Sequence, residues 1–301
     1  MGAKNPSASA ERRTRRFGRA GRAAAVTGIA GASALLLSGC STEEVLRFGW
    51  PKGITPQADQ MMDLWTGSVI AALAVGVFVW GLIFWAVIRY RKKSDELPTQ
   101  TRFNLPIEIL YTAVPFLIIA VLFYYTAIVQ TFVDKQKANP DVTVSVVAFK
   151  WNWQFLYPEE LDTDRQPIGT LGSTDQVPIL VVPTGERIRF VETSNDVIHS
   201  FWVPALLFKR DVIPGRTNSF EASINKGEEG AYVGRCAELC GTYHANMNFE
   251  LRAVTSEKFD QFITEKKAGK STYDALQAIG ESPTATTTRP FKTKRDSRQP
   301  S

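Results

Sequence analysis

The chain has 301 residues, 44% of them hydrophobic, with seven Trp and eighteen Phe, which is length enough for two domains and apolar content enough for a core. Its net charge of +5 arises largely at the ends, from Arg12, Arg13, Arg15, Arg16, Arg19 and Arg22 in front and Arg289, Lys292, Lys294, Arg295 and Arg298 behind. Neither run is interleaved with aromatics on a folded face, so nucleic acid is not expected as a partner.

Residues 1–40 read as a signal peptide: a basic start, an apolar run over 23–37, and Leu37-Ser38-Gly39-Cys40 at the end. That ending resembles a bacterial lipobox. Cleavage there would leave Cys40 as a lipidated first residue on the outer side of the membrane; ordinary signal cleavage beside an incidental cysteine is the alternative. Arg15-Arg16 is followed by Phe17-Gly18-Arg19, a poor twin-arginine match.

Residues 41–140 are expected to anchor the chain in a lipid bilayer. The stretches 64–88 and 109–133 each run 25 residues without a charge, and at 1.5 Å per residue each reaches about 37 Å, more than the roughly 30 Å of a hydrocarbon core. Trp65, Trp80, Trp85, Tyr124 and Tyr125 suit such spans, and Pro115 is expected to kink the second. The linker 89–102 carries Arg89, Arg91, Lys92, Lys93 and Arg102 against Asp95 and Glu96. By the positive-inside rule that linker is cytoplasmic, and everything after the second span then lies outside the cell membrane. Glu108, between Pro106 and Pro115, stands at the cytoplasmic mouth of the second span. A carboxylate there is either a solvated group favoured by the positive helix N-terminus or a functional intramembrane group.

From 141 to 255 the pattern changes to strands. Residues 142–147, 149–157, 177–182, 187–192, 217–222 and 248–254 are short, β-branched or aromatic runs separated by Pro, Gly and Asn. The expected fold class is therefore a two-helix transmembrane hairpin followed by an all-β, antiparallel barrel or sandwich, which resembles the cupredoxin Greek-key fold. Within 149–157 the alternation of Phe149, Trp151, Trp153 and Phe155 puts four aromatics on one strand face. Between 158 and 177 an acidic stretch with Glu159, Glu160, Asp162, Asp164 and Asp175 is expected to form a loop. Asp211 to Arg216 contains a Pro214-Gly215 turn.

The most informative stretch is Cys236-Ala-Glu-Leu-Cys240-Gly-Thr-Tyr-His244-Ala-Asn-Met247. Thiolate and thioether sulfur favour copper, and imidazole suits copper or zinc; a structural zinc site seldom uses Met. The chain holds only two histidines, His244 and His199, so both are expected as ligands. Cys236 and Cys240 are the only thiols after Cys40, and two thiolates can bridge two metals. A Cys-x3-Cys disulfide is the alternative.

With these residues assembled, the chain resembles the copper A subunit, subunit II, of bacterial cytochrome c oxidases of the haem-copper family, over about residues 64–253. The resemblance implies that Cys236 and Cys240 bridge a binuclear copper A centre. His199 and Met247 would complete one copper, and His244 and the backbone carbonyl of Glu238 the other. The Glu238 side chain would bind a magnesium shared with subunit I, Glu108 would stand at a proton-path entrance into subunit I, and Trp151 would be the point where an external cytochrome c delivers its electron. The 211–216 loop would lie near subunit I. The implied activity is that of an aa3-type oxidase reducing oxygen to water with proton translocation, with subunit I and other oxidase subunits and a cytochrome c donor as partners. Because the acidic stretch follows the aromatic strand, its carboxylates are expected beside Trp151, forming one docking surface for a basic cytochrome c. A copper-carrying lipoprotein would have no use for two spans and Glu108; a quinol oxidase subunit lacks the copper ligands; nitrous oxide reductase shares the site but is soluble. No Cys-x-x-Cys-His haem motif is present, so the donor is expected to be a separate protein or subunit.

In the last part, 256–301, Phe259, Phe262 and Ile263 recur at helical spacing behind Ser256 as cap, which predicts an amphipathic helix over 256–270. Residues 280–301, rich in Ser, Thr, Pro and Lys, are expected to be disordered.

Overall fold

The computed structural model describes residues 42–289. The expected signal peptide with Cys40 and the last residues of the tail lie outside that range. The chain divides after Gly49; on the near side of the division is the short helix α1 (Thr42–Arg47).

Helix α2 (Pro56–Arg89) starts where Thr55, in extended conformation, accepts a hydrogen bond from the Ala58 amide at 3.0 Å, and Pro56 presets the first helical φ. It therefore begins two turns before the uncharged run. Helix α3 (Leu105–Val133) is capped by Asn104 and continues through Pro115. Both helices are long and apolar enough to cross a membrane. They pack on each other and turn Phe78, Trp80, Phe116 and Phe123 outward, each more than half exposed. In water such a surface is unfavourable; in lipid it is the stable arrangement.

The rest is a sandwich of two five-stranded sheets. The strands are β1 (Val142–Phe149), β2 (Asn152–Leu161), β3 (Pro167–Leu171), β4 (Ile179–Pro183), β5 (Ile188–Ser194), β6 (His199–Val203), β7 (Phe208–Val212), β8 (Asn218–Ala222), β9 (Gly230–Cys236) and β10 (Asn248–Val254). One sheet has the order β3-β2-β1-β5-β8, the other β4-β10-β9-β6-β7. Most neighbours are antiparallel, but the expected wholly antiparallel pairing does not hold. Two pairs, β1 with β5 and β4 with β10, are parallel instead. The chain passes from one sheet to the other between β4 and β5, so β5 comes back beside β1 in the same direction. Inward-facing Trp153, Phe155, Phe190, Phe201 and Phe249 fill the space between the sheets, each 0–1% exposed. Phe201 stacks on Phe249 with ring centroids 4.8 Å apart, and truncating a ring of this kind to Ala costs about 3–5 kcal/mol.

Three local expectations change. First, 149–157 is not one strand: Lys150 and Trp151 form the turn between β1 and β2, with Phe149 paired to Asn152, so Trp151 leaves the face that Trp153 and Phe155 share. Second, the acidic stretch is not a loop. β2 runs on through it to Leu161 and β3 returns alongside, because Ile168 and Thr170 alternate inward and are buried. Third, the tail is ordered as far as residue 287. Glu250, fully buried on β10, accepts hydrogen bonds from the amides and hydroxyls of Thr286 and Thr287, and Arg252 donates to the Ser282 carbonyl at 3.1 Å. Helix α4 (Ser256–Lys267) takes Thr255 rather than Ser256 as its cap, and a further helix, α5 (Thr272–Ala278), follows it. Phe259 and Phe262 of α4 pack on Tyr157.

Candidate metal centre

The donors converge at one end of the sandwich. Cys236 is the last residue of β9, paired with Phe201 in β6, and His199 is the first residue of β6. The loop after β9 returns through a turn of 3-10 helix (His244–Asn246) to Met247, immediately before β10. The Met247 carbonyl closes this loop by accepting from the Cys236 amide at 3.1 Å and from Trp153 Nε1 at 3.3 Å. A core side chain thus holds the loop in register. Gly241 adopts φ +119°, and a Cβ there would approach the Trp151 ring to 3.3 Å, so both backbone and neighbour require glycine.

The two thiols are free and 3.8 Å apart. A disulfide needs about 2.05 Å, whereas two thiolates on one tetrahedral metal at about 2.3 Å stand roughly 3.8 Å apart. His199 Nδ1 lies 3.8 Å from Cys236 Sγ, and Glu238 O accepts from that sulfur at 3.2 Å. His244 Nδ1 lies 3.6 Å and Met247 Sδ 3.8 Å from Cys240 Sγ. Among the described residues, His199, Cys236 and Cys240 are the one group of His, Cys, Asp or Glu with donor atoms mutually within 4.8 Å. His199, both cysteines and Met247 are buried, while the Glu238 side chain is exposed.

Sequence reasoning did not single out Asp196. Its Oδ1 lies 2.8 Å from His199 Nε2, its Oδ2 accepts from the Lys150 amide at 2.7 Å, and it ties the His199 ring to the turn that carries Trp151. With Nε2 donating to the carboxylate, Nδ1 keeps its lone pair for a metal. Burial pushes the Asp196 carboxyl up, but hydrogen bonds from His199, Lys150 and Val197 bring it below its ordinary value. For His199, burial works against the charged form, and contacts with Cys236 and Asp196 outweigh it and raise the pKa. The thiols diverge: burial raises both, but hydrogen bonds led by His199 bring Cys236 down, whereas Cys240 is pushed up further by the charge of Cys236. One thiolate forms readily, and the second needs a cation. This is soft-donor chemistry that suits copper.

Trp151 is half-buried against the loop. Its Nε1 donates to the Cys240 carbonyl at 3.2 Å, and its ring meets Tyr243 edge-on at 4.9 Å. The acidic stretch does not join it. Residue 159 is eight positions along β2 from Trp151, about 26 Å at 3.3 Å per residue. Glu159 there accepts from Thr143, Glu160 pairs with Lys267, and Asp162 closes its own turn. A hairpin brings strand partners together, but the strand itself carries its far end away. A carboxylate that does reach the turn carrying Trp151 is Asp196, through the Lys150 amide.

Glu108 is half-buried, near the start of α3, and its Oε1 accepts from the Asn104 amide at 3.0 Å. Twenty-five residues of helix, about 37 Å, separate it from Val133 at the other end. It belongs to a different part of the molecule from the metal donors.

Comparison with known proteins agrees over both parts. The family described as cytochrome c oxidase subunit II, transmembrane domain, matches residues 44–129, and the periplasmic domain of the same subunit matches residues 142–254. A probable cytochrome c oxidase subunit 2 of Nocardia farcinica is 47% identical over 92% of this chain and 91% of its own length. Cytochrome c oxidase subunit 2 of Mycobacterium bovis is 42% identical over 91% and 90%. A crystal structure of the periplasmic domain of subunit II of the Bradyrhizobium japonicum oxidase is 31% identical and covers 45% of this chain and all of its own, with a TM-score of 0.39.

Proposed function

The chain belongs to the cytochrome c oxidase subunit II family, and from that premise we propose that it receives electrons from cytochrome c and passes them to haem in subunit I of an aa3-type oxidase. The observation that carries the reading is the donor cluster: two thiols 3.8 Å apart, flanked by one imidazole each, with a thioether and a main-chain carbonyl in reach. Copper bound there supplies one-electron storage and relay. Cys236 and Cys240 would hold a binuclear copper A centre, with His199, Met247, His244 and the Glu238 carbonyl as its further ligands. The Glu238 carboxylate faces out of the loop. It would offer a magnesium one oxygen ligand, with waters and groups of another subunit completing the site.

The other residues act around this centre. Trp151 joins the protein surface to the Cys240 main chain through one hydrogen bond, which suits the point where electrons enter from cytochrome c. Asp196 holds the His199 ring and its tautomer. Glu108, at the far end of α3 on the cytoplasmic side, gathers protons for subunit I. The basic linker 89–102 supports the orientation in which the sandwich faces outward, with the two helices in lipid.

Electron paramagnetic resonance of the copper-loaded chain tests the reading. Hyperfine splitting from one unpaired electron shared by two copper nuclei is expected. A single-copper pattern, or one copper per chain by metal analysis, would overturn it.

A further inference from the structure

Glu192 combines full burial with a complete lack of partners. It lies on the inward face of β5, in line with Ile188 and Phe190, and neither carboxyl oxygen has a hydrogen-bond partner. Its cross-strand neighbours are Val146 on β1 and Asn218 on β8. The Asn218 amide is already committed, donating to the Asp211 carbonyl at 2.5 Å. Glu221, also on β8, is paired with Arg189. From the other sheet β7 packs against β5 and brings the two charges that act on Glu192, the Arg210 guanidinium and the Asp211 carboxylate.

Arg210 is the matching half. Its Nη2 donates at 2.8 Å to Asp134, the C-terminal cap of α3, and its guanidinium lies over the Phe208 ring at 5.0 Å. Its Nε is buried with no acceptor. One guanidinium therefore acts on two carboxyls: it is paired with the one at the end of a membrane helix, while the one in the core of the sandwich feels its charge without a hydrogen bond from it.

We propose that Arg210 is a two-position latch: with Glu192 protonated it ties the sandwich to the end of α3 through Asp134, and with Glu192 ionised it turns to Glu192 and releases that helix end. The competition is decided by solvation. The side chains of Arg210 and Asp134 are 32% and 44% exposed, and an ion pair so wet is worth little. An ionised Glu192 would be a buried charge without a counter-ion, which is far more costly than losing the surface pair. Deprotonation, with the proton lost to solvent, therefore recruits Arg210 inward, where its orphaned Nε gains an acceptor. Burial chiefly, opposed by Arg210 and reinforced by Asp211, pushes the carboxyl up to about 9, so the latch is closed at neutral pH and opens in alkali.

Hydrogen–deuterium exchange of the full chain in lipid nanodiscs, corrected for intrinsic exchange, reads the latch at residues 129–136. In the wild type, exchange there is expected to rise several-fold as the pH passes about 9. Glu192→Gln should stay slow at every pH, and Asp134→Asn should be fast at every pH. Infrared difference spectra between the wild type and Glu192→Gln give a second reading, because the protonated-carboxyl band of Glu192 must vanish over the same range. A flat wild-type profile, an unchanged step in Glu192→Gln, or no protonated-carboxyl band at neutral pH overturns the proposal.

Discussion

Replacing Glu192 by Gln should stabilise the protein, and by an amount that depends on pH in a calculable way. The carboxyl moves from an ordinary value of 4.5 to about 9 on folding, chiefly because burial penalises its charged form. Between those values the folded state holds a proton that the unfolded state has lost, so stability falls as pH rises through that window. Each pH unit costs about 1.4 kcal/mol, which accumulates to about 3 kcal/mol at pH 7. Gln keeps the shape and never titrates. The difference between variant and wild type should thus be near zero below pH 4.5, climb through neutrality and level off above pH 9. Urea unfolding of the full chain in detergent, followed by Trp fluorescence with both proteins in the same metal state, measures it. Parallel stability curves for the two proteins across this range would refute the argument, since they would mean that Glu192 titrates alike in both states.

Further outcomes follow from the site. Cys236→Ser and Cys240→Ser should each abolish the two-copper spectrum, whereas Met247→Leu should retain two coppers and shift the reduction potential, because a thioether tunes more than it holds; metal analysis with potentiometry separates the two. Trp151→Ala should leave cytochrome c binding intact and slow reduction of the copper centre, as read by stopped flow; an unchanged rate would locate electron transfer elsewhere on the surface. Glu108→Gln should slow oxidase turnover with the copper spectrum unaltered. The amide oxygen can still accept from the Asn104 amide, so loss of helix capping would not account for the effect.

The sequence makes the two apolar helices plain because lipid solvation demands long uncharged runs, and it makes the metal donors plain because Cys, His and Met are scarce and here crowd into twelve positions plus His199. The position of Trp151 was harder to read. Alternation alone places it with Trp153, and nothing local signals that Lys150 and Trp151 turn the chain. Ile168 and Thr170 were masked by the acidic residues around them, although their spacing is that of a strand. The ordered tail depends on a carboxylate buried on β10, a contact more than 30 residues distant that no local pattern announces. Glu192 is the instructive case. In Ile188-Arg-Phe-Val-Glu192 the alternation already puts the glutamate on the inward face, but the habit of assigning charge to solvent hides it.

The two parallel pairings of the sandwich also set the order in which the protein can come into being. β10 must find β4 across 71 positions of chain, and contacts so distant in sequence form late and slowly. Cys236, His244 and Met247 all lie in or beside β9 and β10, next to the last strand to be synthesised. An emerging chain therefore presents His199 before any of the three sulfur donors of the site. The full set of donors comes together only once β9 has paired with β6 and β10 has closed the loop behind it.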